Sequence, residues 1–453
     1  MRSRKSNTVI YVLLFFILLI AAFAYIYNAK MFEQQAPTID LPQSIDWNLK
    51  KPITVNIADA SGIKFVRAVL SDGTNSIVLN KKVYEQSLQE VKLDIVFPKT
   101  GFMSNKKNFE LSIDANDASK WNFFSGNTTT KKSIITVDTK KPELFIINNS
   151  YKIIKGGSAA VVFKTKDENL KELFIQTNFG KKFYPTPFYK QNHFVSLLAW
   201  PSDEENFSAD IVAIDKAGNI AKERIRFYLK NRKYKVSKIP LRDNFLEGKI
   251  ADLASEYSQN PLEDKIAKFK FVNEDLRIEN ENHIEKITTK VPQDMISDFV
   301  LEPFYPLKNG AAVASFGDQR FYTYGQKEIS KSLHVGLDFA STAKANIITN
   351  NVAEVVFAGS NGIYGDNMIL SHGLGLYSLY GHCSSFFVQV GDKVAKNTPI
   401  ATTGTTGLAL GDHLHFGVLV QGVEVRPEEW MDSLWLNENI FTVLNNAKKM
   451  LDR

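Results

Sequence analysis

The feature that most constrains the fold of this chain is an uncharged apolar run of 19 residues, Val9 to Tyr27. As a helix that rises about 1.5 Å per residue, the run is about 28 Å long, close to the hydrocarbon thickness of a bilayer. It has no polar face, which disfavours a buried core helix. Arg2, Arg4 and Lys5 precede the run. By the positive-inside rule these cations place the N-terminus in the cytoplasm and everything after Ala29 across the membrane.

A cleaved signal peptide is the alternative interpretation of the same run. Ala22-Phe23-Ala24 resembles a small-residue cleavage site. The apolar regions of signal peptides, however, usually hold about 7–15 residues, fewer than are present here. Tyr25-Ile26-Tyr27 continues the run and suits an aromatic belt at the membrane surface. The sequence therefore favours an anchor that is not cleaved.

Length and composition indicate several folded domains behind this helix. The chain has 453 residues, too many for one hydrophobic core, which suggests about three domains. Hydrophobic residues make up 44% and charged residues 23%, as in ordinary folded proteins. The net charge is only +6 and the basic residues are not massed, so we predict no nucleic-acid partner. Cys383 is the only cysteine, so no disulfide can form within the chain.

An internal repeat behind the apolar run predicts two tandem immunoglobulin-like β-sandwiches. Short runs rich in Val, Ile, Phe and Thr alternate with Gly, Asn and Asp turns. Pro37–Leu41 has a counterpart in Pro142–Ile146, and Ile53–Asp59 has one in Ala160–Asp167. The offset of about 105–108 residues matches the size of one such domain. The second copy closes with Ala213–Asn219, a turn that resembles the end of bacterial immunoglobulin-like modules.

Residues 240–292 change to a helical pattern. Phe245–Glu256, Leu262–Phe271 and Glu274–Glu285 are charged, mostly free of glycine and apolar at three- and four-residue spacing, which predicts two or three helices. This block and the strand Val300–Pro303 lie just upstream of the last third of the chain. We expect the upstream segments to cover part of a groove there and to restrain its activity.

The last third of the chain concentrates the residues that point to chemistry. Five of the seven histidines lie between His334 and His415. His334 and Asp338 form an H-x-x-x-D pattern, and His413 and His415 form an H-x-H pattern. Two imidazoles and one carboxylate are the usual ligands of a catalytic zinc, which keeps its fourth position open for water. The clustering therefore predicts a hydrolase.

Both motifs are predicted to lie on strands, because glycines punctuate short alternating runs throughout this region. Residues two or four apart on a strand share one face. His334 is then expected to project together with Asp338, and His413 together with His415. His382 lies between the two motifs in the sequence, and a neutral imidazole suits proton transfer near pH 7.

These motifs resemble the lysostaphin-type zinc metalloendopeptidases, which cut the peptide stems or bridges of bacterial peptidoglycan. The resemblance covers about residues 300–430, under a third of the chain. Its elements follow the family order: Ser315–Arg320, then His334-x-Gly336-x-Asp338, then Tyr380-x-His382, then Gly404-x-x-Gly407 leading to His413–Phe416.

The resemblance implies one Zn²⁺ per chain, held by His334, Asp338 and His415. It implies that His382 and His413 flank the bound water, one as base and the other as donor to the oxyanion. The order of these two roles stays open. All five positions are retained, which argues against a family member that has lost activity.

The chain departs from the family around the second motif. It reads Leu410-Gly411-Asp412 where Ser/Thr-Gly-Pro is usual, and Gly417 where an acidic residue is usual. Neither departure replaces a ligand, so both bear on the shape of the substrate groove. The residues expected to line that groove are Tyr322, Tyr324, Tyr364 and His372.

The predicted fold class is mostly β and multidomain. The anchor occupies residues 1–29 and the C-terminal β-rich zinc peptidase domain 299–432. Between and after them we predict sandwiches at 30–138 and 139–232, a helical linker or inhibitory block at 233–298, and a C-terminal helix at 433–453.

The predicted function is a membrane-anchored zinc endopeptidase that hydrolyses peptide bonds in peptidoglycan stems or cross-links during wall remodelling, shape determination or division. It would be a single-pass protein of the bacterial cytoplasmic membrane with its catalytic domain outside the cytoplasm. Its predicted partners are peptidoglycan, the membrane through the N-terminal helix, and wall-synthesis or division proteins through the β-sandwiches. The alternatives are a non-catalytic activator or scaffold of other wall hydrolases, and a wall-binding module in which the sandwiches act as more than a spacer.

Overall fold

The computed structural model describes residues 8–98 and 106–453. Strands hold more than twice as many residues as helices, which confirms the mostly β fold. The chain divides into two compact units. The first is built from residues up to Pro142 together with Glu168–Lys171 and Ile214–Ile220, and the second from the remaining residues up to Arg453.

The first helix, α1 (Thr8–Asn28), contains no charged residue, and its large apolar side chains are exposed. Its 21 residues span about 31 Å. In the part of the chain that the structure describes, α1 is the one helix long and apolar enough to cross a membrane. A signal sequence near the N-terminus has the same features, so α1 is compatible with either a single-pass anchor or a signal sequence.

The first unit holds a six-stranded sheet with alternating burial. Its strands are β1 (Thr38–Asp40), β2 (Ser44–Trp47), β3 (Ile53–Ser71), β4 (Ser76–Ile95), β5 (Asn108–Asp117) and β6 (Thr128–Val137). The strand order is β1-β3-β5-β6-β2, with β4 paired to β3. Ile53, Val55 and Ile57 are buried while the residues between them are exposed, as the period of a strand with one face on the core requires. The unit also contains α2 (Trp121–Phe124) and a 3₁₀ turn at Lys30–Phe32.

The second unit begins with two four-stranded sheets. Their order is β11-β10-β14-β15 and β12-β13-β9-β7, and a short parallel pair joins β8 to β16. The central strand β9 is almost fully buried, consistent with its run of Ala, Val and Phe. The strands are β7 (Glu143–Asn149), β8 (Lys152–Ile154), β9 (Ser158–Lys166), β10 (Leu170–Thr177), β11 (Lys182–Phe183), β12 (Thr186–Pro187), β13 (His193–Ala199), β14 (Ala209–Asp215), β15 (Ile220–Ile225) and β16 (Tyr228–Lys230).

The predicted helical block is present as two helical stretches, within the two or three helices expected. The chain is helical from Asp243 to Tyr257 and again from Lys265 to Thr288. The second stretch merges the predicted helices Leu262–Phe271 and Glu274–Glu285, because no glycine or proline separates them. Its elements are α3 (Asp243–Phe245), α4 (Ala251–Tyr257), α5 (Lys265–Lys270) and α6 (Arg277–Thr288), joined in part by π-helical turns at Leu246–Ile250 and Phe271–Leu276.

The C-terminal domain is built around an eight-stranded sheet of order β18-β21-β29-β25-β24-β23-β27, in which β30 also pairs with β29. The domain also contains two three-stranded sheets, β17-β19-β20 and β22-β28-β26. Three short helices and a π-helical turn at Asn437–Phe441 end the chain. The elements are β17 (Val236–Pro240), β18 (Ala311–Ala314), β19 (Asp318–Tyr324), β20 (Lys327–His334), β21 (Leu337–Ala340), β22 (Asn346–Thr349), β23 (Ala353–Ser360), β24 (Asp366–Ser371), β25 (Leu376–Cys383), β26 (Ser385–Phe386), β27 (Lys393–Val394), β28 (Thr398–Thr402), β29 (Leu414–Val420), β30 (Val423–Val425), α7 (Pro427–Trp430), α8 (Ser433–Leu436) and α9 (Thr442–Leu451), with a 3₁₀ turn at Gly362–Tyr364.

The two β-rich parts of the second unit share one hydrophobic core. Trp430 is fully buried, and its Nε1 donates to Ser158 Oγ at 3.1 Å. The Ser158 N–H donates to the Glu429 carboxylate at 2.9 Å. Gln421 pairs with both backbone groups of Tyr184 at 2.7 and 2.9 Å. The two four-stranded sheets are therefore packed against the C-terminal domain and do not form an independent domain.

The buried Glu429 predicts a pH-dependent stability. Burial raises the pKa of Glu429 from 4.5 to about 7, although the nearby Arg426 opposes the shift. The folded state keeps this proton between these two pKa values while the unfolded state releases it, so the free energy of unfolding falls as pH rises through that window. We expect the Tm of Glu429→Gln, relative to the natural protein, to rise when pH increases from about 5 to about 8.

Thermal unfolding of the full chain at both pH values measures this difference. Glu428→Gln is the matched control, because the Glu428 side chain is 37% exposed. A Tm difference for Glu429→Gln that stays constant with pH would contradict the assignment.

Candidate metal centre

Three side chains of the C-terminal domain converge on one point. His334 Nε2 lies 3.1 Å from Asp338 Oδ1, and His415 Nδ1 lies 2.9 Å from the same oxygen. The two ring nitrogens are 3.2 Å apart. All three residues are less than a tenth exposed. Two nitrogen donors and one carboxylate oxygen therefore meet in a protected corner of the domain.

Sheet register accounts for this convergence. Asp338 on β21 lies directly opposite His415 on β29 in an antiparallel pair. His334 ends β20, and the chain leaves strand geometry at Val335 and Gly336 before β21 begins. The prediction that His334 and Asp338 project from one strand is therefore wrong. The break swings His334 back toward the β21–β29 pair, where its side chain meets the other two.

The glycine of the first motif makes room for the second motif. A Cβ on Gly336 would lie 2.5 Å from the His415 ring, closer than any side chain tolerates. His415 can therefore occupy its position only while residue 336 has no side chain. The glycine of H-x-G-x-D is thus required by a histidine that lies about 80 residues further along the chain.

Hydrogen bonds and burial set the protonation of these groups. His334 Nδ1 is 2.9 Å from the Ser315 carbonyl and donates to it, so a neutral His334 presents a lone pair at Nε2. Burial lowers the pKa of His415, which keeps its imidazole neutral. Burial acts to raise the pKa of Asp338, but its contacts with the His334 and His415 rings outweigh burial and hold that pKa well below its usual range.

This donor set fits Zn²⁺. The three ligand atoms lie within 4.8 Å of one another, and neutral imidazole with an ionised carboxylate is the protonation state that metal binding requires. Two nitrogens and one oxygen leave a fourth tetrahedral position open, as in catalytic zinc sites. His334, Asp338 and His415 are the residues that would hold the ion.

Two further histidines border the triad. The ring centroids of His382 and His413 are 4.7 Å apart, and His413 Nε2 lies 3.9 Å from Asp338 Oδ1. His382 Nδ1 is 2.8 Å from the Thr406 carbonyl, and His413 Nδ1 is 2.8 Å from the Gly411 carbonyl. Since each Nδ1–H donates to a backbone carbonyl, each neutral ring offers a lone pair at Nε2.

The environment of His382 differs from that of His413. Burial, together with the charges of His415 and His413, lowers the pKa of His382 to about 3. His382 also adopts a left-handed backbone conformation with φ of 62°, which is strained for a residue with a Cβ and is typical of functional sites. The side chain of His413 is 16% exposed and therefore retains contact with solvent.

The glycine-rich loop before the second motif positions His382. A Cβ on Gly407 would lie 2.2 Å from the backbone nitrogen of Gly365, so only glycine allows the two backbones to approach this closely. The approach brings the Thr406 carbonyl to His382. Asp412, at a position where the sequence departs from the family, accepts hydrogen bonds from Thr403 Oγ1 at 2.5 Å and from the Lys344 N–H at 3.1 Å. Asp412 thus ties the glycine-rich loop to Thr403 and Lys344.

A cavity of about 560 Å³ opens at these five residues. Nine of its lining residues come from the segment upstream of the C-terminal motifs, as expected for a segment that covers part of a groove. Sequence patterns do not predict which of its residues reach the cavity, because that depends on packing between segments that are distant in the chain. The nine residues are Ile239, Pro240, Leu241, Arg242, Asn244, Phe245, Lys249, Phe269 and Arg277.

The four residues expected in the substrate groove separate into two pairs. Tyr322 and Tyr364 line the cavity, and the Tyr364 ring lies 5.5 Å from that of His415. Tyr324 is not among the lining residues, and its hydroxyl donates to Asp243 at 2.8 Å. His372 also lies outside the lining: it packs on Phe304 and hydrogen-bonds Ser378 at 2.7 Å.

Known proteins resemble the C-terminal part of this chain. Residues 332–427 match the profile of peptidase family M23, which confirms the resemblance predicted for the C-terminal domain. The DD-carboxypeptidase/endopeptidase Mpg of Neisseria meningitidis serogroup B is 32% identical over 95 residues, 21% of this chain and 22% of that protein. The peptidoglycan DD-endopeptidase ShyA of Vibrio cholerae serotype O1 is 29% identical over 118 residues, 26% of this chain and 27% of that protein.

A third relative has a different described role. The murein hydrolase activator EnvC of Escherichia coli K12 is 38% identical over 68 residues, 15% of this chain and 16% of that protein. The chain thus spans between 16% and 27% of the length of these curated relatives. Among solved structures, the catalytic domain of lysostaphin from Staphylococcus simulans is 26% identical, covers 28% of this chain and 94% of its own, and has a TM-score of 0.24.

Lys249 ties the helical block to the loop beside the site. Its Nζ donates to the Thr405 carbonyl at 2.9 Å. We expect Lys249→Ala to remove this hydrogen bond and to speed local opening of the block by about 2- to 10-fold, the effect of one such bond. Hydrogen exchange of the backbone amides in 243–257, measured on the full chain, reports this opening.

Lys270→Ala is the matched control, since Lys270 is an exposed lysine of the same block that does not line the cavity. Equal exchange rates in the two variants would show that the contact does not hold the block in place.

Proposed function

Because residues 332–427 carry a peptidase family M23 domain, we propose that this chain is a zinc endopeptidase that hydrolyses peptide bonds in peptidoglycan stems or cross-links. The observation that carries the proposal is the convergence of His334, Asp338 and His415 beside two further imidazoles, those of His382 and His413. Hydrolysis of an amide needs a polarised carbonyl, an activated water and a group that moves protons. This corner of the domain offers residues for each requirement.

Bound Zn²⁺ would polarise the scissile carbonyl and lower the pKa of a water molecule to about 7. Residues of the chain then accept the proton of the attacking water. We assign the role of base to His413, because burial makes His382 a weak proton acceptor with a pKa of about 3. Both Nε2 atoms accept rather than donate while the rings are neutral. The ring that takes the proton becomes the donor to the departing amine.

The rest of the chain would support the same function by placing the C-terminal domain near the cell wall. In our proposal α1 stays attached as a single-pass anchor of the bacterial cytoplasmic membrane, and the C-terminal domain works outside the cytoplasm. Residues 30–138 and 139–232 are proposed as immunoglobulin-like domains that hold the active domain at a distance from the membrane. Wall-synthesis or division proteins are the proposed partners of these domains.

The similarity to a murein hydrolase activator supports a second candidate function. In that case the same fold would serve as a docking surface for another hydrolase and would not need a metal. Retention of all five histidine and aspartate positions favours the enzyme. Zinc content separates the two candidates, since the activator has no use for one metal per chain.

Digestion of isolated sacculi tests the proposed activity. The full chain, purified in detergent and loaded with zinc, is expected to reduce the cross-linked muropeptides. His415→Ala should be at least about 100-fold slower, because loss of even an outer-shell partner of a metal ligand costs about 10- to 100-fold. His283→Ala is the matched control, an exposed histidine outside the site. Unchanged muropeptides, or equal activity in His415→Ala, would refute the proposal.

A further inference from the structure

Most of the charged side chains that line the cavity at the metal centre are positive. Four cationic side chains face it, whereas Asp338 is the one carboxylate among its lining residues. A concave site lined by one sign of charge concentrates ligands of the opposite sign. The four cationic residues are Arg242, Lys249, Arg277 and Arg320.

Three of these cations are held by neighbours. Lys249 donates to the Thr405 carbonyl at 2.9 Å. Arg277 donates to the backbone carbonyl of Asn273 at 3.1 Å and to its side-chain oxygen at 3.0 Å. Arg320 lies 3.5 Å from the carboxylate of Asp318. These three residues contribute charge to the cavity, and each already has a partner within the protein.

Arg242 is different. It is exposed, it lines the cavity, and its guanidinium makes no hydrogen bond or ion pair with any residue in 8–98 or 106–453. Its backbone is nevertheless fixed, because it follows β17, which pairs in parallel with β19, and because the preceding Leu241 N–H donates to the Thr323 carbonyl at 2.8 Å. A fixed backbone thus presents an unpaired planar donor at the site.

The upstream segment, where the structure describes it, offers no ligand for the open metal position. In the portion of the chain that the structure describes, its cavity-lining residues include no carboxylate, imidazole or thiol that could take the open metal position. The cavity keeps a volume of about 560 Å³. The open volume and the unpaired guanidinium of Arg242 indicate that this segment forms one wall of a binding site.

We propose that Arg242 is a specificity-determining residue that binds a carboxylate of the peptide substrate, so that the helical block forms one wall of the substrate groove. This inference rests on the proposed peptidoglycan function and names the chemistry that the groove selects, a peptide bearing free carboxylates. A guanidinium binds a carboxylate through two parallel N–H bonds, which gives both strength and orientation. Arg242 touches no metal ligand and acts on substrate binding only.

A binding experiment with paired probes tests this inference. The probes are un-cross-linked muropeptide monomers with free carboxyl groups and the same monomers with those groups converted to amides. Calorimetric titration of the zinc-loaded full chain should give an affinity at least about tenfold higher for the free-carboxyl probe, the size of one charge-assisted hydrogen bond. Arg242→Gln should lose that preference, and Arg242→Lys should keep part of it. Arg226→Gln is the matched control, an exposed arginine outside the cavity.

The outcomes separate this inference from the proposed function. A preference that Arg242→Gln leaves intact, or equal affinity of the natural protein for both probes, overturns the role of Arg242. Digestion of cross-linked muropeptides is followed in parallel. A chain that shows the Arg242-dependent preference but cuts no cross-link keeps this inference and loses the endopeptidase assignment. A chain that cuts cross-links without the preference keeps the endopeptidase assignment and loses the role of Arg242.

Discussion

The antiparallel pairing of β21 with β29 is the constraint on which the site depends. It sets Asp338 directly opposite His415, and every other feature is arranged around that pair. Gly336 leaves room for the His415 ring, and the break in the strand before it turns His334 back to the same point. A slip of one residue in this register would move His415 to the other face of the sheet. A buried sheet face makes such a slip costly, so packing of the core defines the geometry of the donors.

Residues from far upstream in the chain also line the cavity at this metal centre. A hydrophobic cluster packs Leu246 and Phe269 of the helical block against the C-terminal domain, beside the cavity. Strand β17 extends the β19–β20 hairpin and delivers Arg242 to the cavity rim. The segment that sequence patterns mark as a linker thus becomes part of the groove wall. Restraint by the block and selection by its arginine are compatible, since Lys249 anchors the block while Arg242 remains unpaired.

Sequence reasoning succeeds where the signal is local and fails where it is tertiary. The strands follow from short alternating runs, and the grouping of His334, Asp338 and His415 follows from the resemblance to the lysostaphin-type peptidases. The single-strand interpretation of H-x-x-x-D fails because Val335 and Gly336 leave strand geometry, which residue spacing alone does not reveal. The contribution of Arg242 and Lys249 was missed for another reason: it depends on packing between residues near 245 and residues near 405. The backbone carbonyls of Ser315 and Thr406 orient two of the imidazoles. Residue type does not predict these contacts, because every residue has a backbone carbonyl.

In our proposal His334, Asp338 and His415 hold the metal, and the two neighbouring histidines do not. X-ray absorption spectroscopy of the zinc-loaded full chain tests it directly. The account predicts two imidazole nitrogens and at least one oxygen at about 2.0–2.2 Å from zinc, with one imidazole lost in His334→Ala and none lost in His382→Ala. Loss of an imidazole in His382→Ala, with both retained in His334→Ala, would contradict it.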